Sequence, residues 1–237
     1  FEAECWPKYG EHTTTLTRIW RQTEPDFIEG LGHARRGDGR RALDYFGPRL
    51  EERLDHDFEG VTLLSKNAEV DRFNLLRMSK LHGEIQTWTT TREGKQRGEW
   101  KLIPDTLTLK EGSLVMVLAN QKLKDESGRT IPEYRYVNGD LGVLEGGLVR
   151  LKRNDRAELV NMVTRYNLVP LEPGRRKELR EAREAWRIVC SQPTCLECGR
   201  GQGKCPNAKY ERVGSVMYMP LRLAWATTVH KCVSVDT

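Results

Sequence analysis

The chain has 237 residues, 31% of them charged and 38% hydrophobic, with a formal net charge of +5 at pH 7. That balance excludes an intrinsically disordered chain, and no apolar run approaches the about 18 residues that cross a bilayer. The small basic excess permits a polyanionic partner without demanding one. Phe1-Glu2-Ala3-Glu4 lacks the basic start and apolar middle of a secretory leader, so the expectation is a soluble, intracellular protein with no membrane partner.

The chain opens in ordinary globular sequence without an initiator Met, and is expected to be a piece of something longer. In LTRIWRQTEPDFIEGLGHARRGDGRRALDYF (16–46) an apolar-polar alternation precedes a Glu-Pro-Asp helix start. The helix is predicted to carry Phe27, Ile28, Leu31 and Ala34 on one side and to stop at Gly37, with a second short helix over Arg41 to Phe46. VTLLS (61–65) has strand length and VDRFNLLRMSKL (70–81) has helical spacing, a β-α unit of the kind that builds an open, mostly parallel sheet.

From about residue 84 the texture changes to short strands and turns: IQTWTT, WKLIP, LTLKEGSLVMVLAN, YRYVNGDLGVLEGGLVRL and LVNMVTRYNLVPL. Asn138-Gly139 and Gly146-Gly147 are hairpin signals, and the stretch predicts a small antiparallel barrel or meander. RRKELREAREAW (175–186) reads as an exposed charged helix, or else a solvated linker or binding arm. Trp88, Trp100, Trp186 and Trp225 fall in apolar strands or at helix ends and are expected in the core.

Cys190, Cys195, Cys198 and Cys205 follow the spacing C-x4-C-x2-C-x6-C, with Gly199, Gly201 and Gly203 for sharp turns. Thiolates this close suit a structural, tetrahedral Zn²⁺; an iron-sulfur cluster and unligated thiols are the alternatives. Cys5 and Cys232 lie far away and read as buried hydrophobes.

Four stretches, in order, carry a family resemblance. LTRIWRQTEPDFIEGLGHARRGD resembles the motif that follows the first motor domain in superfamily 1B DNA helicases of the RecD, Dda and Pif type, with Trp20 where Phe is usual. TLLSKNAEVDRFN (62–74) resembles that family's Asn-x-x-Val-Asp-x-x-Asn element, and LKEGSLVMVLAN with YVNGDLGVL resembles the Val-Met strand and Asn-Gly turn that open an SH3-like barrel. PLRLAWATTVHK is similar to the family's Pro-Leu-x-Leu-Ala-Trp-Ala-x-Thr-x-His-Lys motif nearly residue for residue.

The resemblance implies a RecA-like second motor domain, mostly parallel in its sheet, with an inserted SH3-like β-barrel and the cysteine-rich metal loop added. The expected division is 1–118 for the first part of the motor domain, 119–217 for the insertion including the loop 190–205, and 218–237 for the last strands. It implies that Arg21, with Gln22, reaches the γ-phosphate of ATP, where a guanidinium matches phosphoryl charge. Asn67, Asn74, Thr228 and His230 would meet the backbone of nucleic acid, and Lys231 either DNA or the nucleotide site. The implied partners are single-stranded and forked duplex DNA and a first motor domain outside this chain.

The implied function is ATP-driven translocation on single-stranded DNA, 5′ to 3′, with unwinding. The alternative is a non-enzymatic nucleic-acid-binding module that keeps the fold. No Gly-x-x-x-x-Gly-Lys-Ser/Thr loop or acidic Mg²⁺ pair occurs, so ATP with Mg²⁺ would be held mainly outside this chain. The family's Gln-Gly after His-Lys is also missing. Cys232-Val233-Ser234-Val235-Asp236 stands there instead and looks like the next strand, as if residues had been skipped.

Overall fold

The computed structural model describes residues 14, 22–50, 58–172, 174–190 and 208–228. The chain separates into two units, Phe1–Asp55 and His56–Thr237, each taken here by itself. No helix among the described residues is long and apolar enough to cross a membrane.

In the first unit, α1 (Pro25–Arg35) starts where Glu-Pro-Asp predicts, with Pro25 in the first turn and Asp26 beside the partially positive helix start. Gly37, at φ +77°, ends it. Asp38 then caps α2 (Gly39–Phe46), its Oδ1 accepting from the Arg41 amide at 3.3 Å. The expected apolar side of α1 holds only in part. Phe27 and Ile28 are half-buried, but Leu31 and Ala34 are exposed and the buried positions are Gly30 and His33. Tyr45 decides this: a Cβ on Gly30 would lie 2.7 Å from its ring, so the glycine lets α2 pack close.

The second unit begins with the expected β-α step, β1 (Thr62–Leu64) and α3 (Asn67–Ser79). Next come β2 (Ile85–Thr89), β3 (Thr91–Gly94), β4 (Thr106–Lys110), β5 (Leu114–Val117), β6 (Gln121–Lys124), β7 (Thr130–Tyr136), β8 (Leu141–Glu145), β9 (Leu148–Leu151), β10 (Ala157–Glu158) and β11 (Val163–Pro170). Helix α4 (Arg175–Glu181) precedes β12 (Ile188–Val189), β13 (Tyr210–Tyr218), β14 (Leu221–Leu223) and β15 (Ala226–Thr228). WKLIP, expected as a strand, is instead the end of a 3-10 turn (Gly98–Leu102) whose Trp100 is buried against Val216 and Tyr218.

The sheet is mixed rather than mostly parallel. Among the described residues the only parallel pair is β1 with β15, Leu64 facing Thr228. The rest is antiparallel: β10-β9-β8-β5-β14, then β11-β13-β12 with β3 on β13, then the pairs β2-β4 and β6-β7. Central strand β5 is buried at every position, as the unbroken apolar run LVMV requires. Its side chains alternate between two cores. Leu114 and Met116 pack with Val70 and Phe73 of α3 and with Trp225, whereas Val115 and Val117 pack with Leu109, Leu144 and Leu221.

Of the two hairpin signals only one joins paired neighbours. Gly146 and Gly147, at φ +57° and +78°, make the turn between β8 and β9, and the Glu111 carboxylate accepts from both their amides. Asn138-Gly139 turns between β7 and β8, which lie in different sheets; Asp140 Oδ2 accepts from the Val137 amide at 2.9 Å and the Gly139 amide donates to Val117 O at 2.8 Å. The charged helix expected over 175–186 is α4, which ends at Glu181 and is largely exposed, yet it is not a detached linker. Leu179 is buried, and Arg175 on α4 with Arg187 after it binds the buried carboxylate of Glu211 on β13.

Candidate nucleic-acid interface

PLRLAWATT does not form one strand. Leu221–Leu223 pair antiparallel with β5, then Ala224 and Trp225 carry the chain across, and Ala226–Thr228 pair parallel with β1. The crossing is anchored by Asn74, 5% exposed on α3, whose Nδ2 donates to Ala226 O at 3.0 Å while its Oδ1 accepts from the Ala226 amide at 2.8 Å. The Arg222 guanidinium donates to Thr227 Oγ1 and steadies the same bend.

The consequence is a defined edge. Strands β1 and β15 end side by side at Leu64 and Thr228, and α3 starts at Asn67 directly beyond β1. Ligands of parallel α/β units gather at this carboxyl edge, because strand ends and the helix start present unfilled backbone groups there. A groove of about 630 Å³ opens at it, lined by Asn67, Asp71 and Asn74 of α3, by Arg222 and Thr228, and by Leu102. The positions 67, 71, 74 and 78 follow one helical face. Tyr218 also lines the groove. Burial pushes its phenol above the ordinary value, and the nearby Arg165 guanidinium partly offsets this.

Thus Asn67 and Thr228, named from separate motifs, line one groove; Asn67 is exposed and Thr228 is 7% exposed. Asn74 lines it too, but its amide is bound to the strand backbone, which makes it a residue that positions β15. Asp71 and Arg222 also line the groove and are not among the sequence candidates, although both stand inside the quoted motifs; the helical spacing from Asn67 points to Asp71. Gln22 is half-buried in the first unit. Arg21, His230 and Lys231 lie outside the described residues.

Of the metal-ligand candidates, Cys195, Cys198 and Cys205 also lie outside the described residues, and those described hold no group of three or more metal-binding side chains. Cys190 is described, 8% exposed, and packs with Leu179, Ile188 and Ala208. Val189 pairs with Tyr210, so β12 and β13 bring the two ends of the cysteine loop together. Trp100 and Trp225 are buried and Trp88 partly so, as expected, but Trp186 is 57% exposed, against its expected place in the core.

No protein-family model matches the chain. It is 28% identical over 250 residues to the ATP-dependent DNA helicase PIF1 of Emericella nidulans, covering 98% of this chain and 33% of that protein. It is 23% identical over 277 residues to the ATP-dependent DNA helicase PIF7 of Trypanosoma brucei brucei, covering 98% and 26%. The chain therefore spans about a third or less of the length of these curated relatives. Among solved structures it superposes on Bacteroides Pif1 in complex with ADP-AlF4 with a TM-score of 0.58 at 24% identity, over 91% of this chain and 42% of that one. Bacteroides Pif1 bound to ssDNA gives 0.53 at 24% identity, with the same coverage of both chains. At these identities the likeness is one of fold.

Proposed function

Starting from a chain related over nearly all its length to the Pif1-type helicases of superfamily 1B, we propose that it is the second motor part of an ATP-dependent DNA helicase. The complete protein would move along single-stranded DNA, 5′ to 3′, and separate duplex at forks, with its first motor domain in another part of the chain. The observation that carries this reading is the groove at the carboxyl edge of β1 and β15, which gathers Asn67 and Thr228 from motifs far apart in sequence.

In this reading Thr228 donates its hydroxyl to a DNA phosphate, with Asn67 beside it and His230 following. These short donors hold the backbone without reading bases. Arg21, with Gln22, would lie against the γ-phosphate of ATP bound with Mg²⁺ mainly by the first motor domain, so that hydrolysis changes the grip on DNA. Lys231 serves one of these two sites. We retain the division 1–118, 119–217 and 218–237, with an SH3-like insertion in the middle segment.

The cysteine loop is proposed to hold a structural Zn²⁺ through Cys190, Cys195, Cys198 and Cys205. The pairing of Val189 with Tyr210 supports this, because the segment between them leaves and re-enters the fold on neighbouring strands.

The test is binding of single-stranded oligonucleotides by the chain and DNA-stimulated ATP hydrolysis by the complete protein. Thr228→Val and Asn67→Ala should weaken binding to a similar degree for all base sequences. Unchanged binding removes the groove from the reading. DNA binding without any ATP turnover by the complete protein favours a module that binds nucleic acid and has no motor.

A further inference from the structure

A second feature lies on the sheet that carries the cysteine loop. The Arg212 guanidinium carbon on β13 sits 4.5 Å from the ring centroid of Trp186 and 4.7 Å from that of Tyr166. Both rings are at the surface, Trp186 57% and Tyr166 45% exposed. Of the acidic side chains nearby, Glu211 binds Arg175 and Arg187, Glu184 binds Arg187, and Glu93 accepts from the Ser215 hydroxyl at 3.3 Å. Among the described residues Arg212 makes no ion pair. Its flat cation is oriented by the rings, which leaves its in-plane N–H groups for a ligand.

Beside the rings runs a groove of about 250 Å³ along the backbone of Gly214 and Ser215, with Trp186, Arg187 and Glu93 on its walls. Exposed Arg183 lies three positions before Trp186, whereas Arg165, next to Tyr166 on β11, faces the other side of the sheet and sits over Tyr218. The free edge of Arg212 suits an anion, and the exposed ring surfaces suit a flat, weakly polar partner.

Single-stranded nucleic acid offers both together, since a base stacks on an aromatic face while the adjoining phosphate accepts from a guanidinium edge. An acidic peptide would satisfy the charge and leave the rings uncovered. We propose that Trp186, Tyr166 and Arg212 form a stacking platform for single-stranded nucleic acid, distinct from the groove at Thr228. A base packs against Trp186 and its phosphate meets the edge of Arg212. This holds whether or not the Thr228 groove binds DNA.

The test uses the full chain and a fluorescent oligothymidylate, read by anisotropy, with melting curves to verify folding. Trp186→Ala should weaken binding by about ten-fold, within the range of a single base-aromatic stack, without changing the melting temperature, because the ring is exposed. Arg212→Lys keeps the charge but loses the planar stack, and should weaken binding several-fold. Wild-type affinity in both variants overturns the platform. So does a polyglutamate peptide whose own binding falls in the same variants while oligothymidylate binding does not, since the surface would then take protein. Thr228→Val separates the two sites. A loss with Thr228→Val alone removes the platform and keeps the groove, whereas a loss with Trp186→Ala alone keeps the platform and removes the groove.

Discussion

Asn74 and Ala226, 152 positions apart in sequence, exchange two hydrogen bonds in which one side-chain amide satisfies both backbone groups of a residue buried in β15. The pair sets where Thr228 ends its strand. Asn74→Ala leaves a buried N–H and C=O without these partners, each worth about 1–3 kcal/mol, so urea denaturation should show a loss of a few kcal/mol. Single-strand binding should fall with it, and Asn74→Asp, which sets a carboxylate oxygen against Ala226 O in a buried site, should lose at least as much. Full stability in Asn74→Ala would show that β15 is positioned by its pairing with β1 alone.

Arg21 is proposed to reach the γ-phosphate of ATP. In the complete protein, Arg21→Ala should lower ATP turnover by roughly 10³-fold, as removal of an arginine finger does, while leaving single-strand binding largely in place. Steady-state hydrolysis and oligonucleotide binding measured on the same preparation check this, and near-normal turnover would remove the assignment.

The cysteine loop should carry about one equivalent of zinc by elemental analysis, and Cys198→Ser should release it, because a closed tetrahedral site needs all its ligands. Ligand binding supplies the folding free energy of so small a loop. The loss should therefore stay local and leave the β1-β15 edge intact. Four freely reactive thiols in metal-free protein would refute zinc, and visible absorbance with a brown colour would indicate iron and sulfur instead.

Glu211 holds α4 and the start of β12 to β13 through Arg175 and Arg187, and the hydrogen bond that Arg175 donates to Glu211 raises the Arg175 pKa above the ordinary arginine value. Glu211→Gln keeps the shape and removes the charge. Breaking a fully buried pair costs about 3–5 kcal/mol; the cost here should be smaller, because the Arg175 side chain is 38% exposed. Hydrogen exchange should accelerate over residues 175–190 and not over α3, and unchanged exchange there would show that Leu179 packing alone holds the helix.

Much of the local structure was legible in the sequence. The Glu-Pro-Asp start of α1, the β1-α3 step, the doubly buried LVMV strand and the Gly146-Gly147 turn all follow from short-range rules: a proline that lacks a donor, apolar periodicity, and φ values that only glycine tolerates cheaply. Motif order also placed Asn67 and Thr228 among the candidate contacts, and they do line one groove.

What the tertiary structure alone decided is partner choice. The apolar pattern of PLRLAWATT is continuous, yet the segment splits between two sheets, with Asn74, far off in sequence, binding the backbone after the split. Asn138-Gly139 has the chemistry of a hairpin turn, but its flanking strands find other neighbours. Trp186 carries the same hydrophobic signal as Trp100, and only the packing leaves one at the surface beside Arg212 while burying the other under β13. Periodicity and turn chemistry act over a few residues, whereas pairing and burial depend on which distant surfaces meet, and around β5 that was settled by the second unit closing on the cores of its two faces.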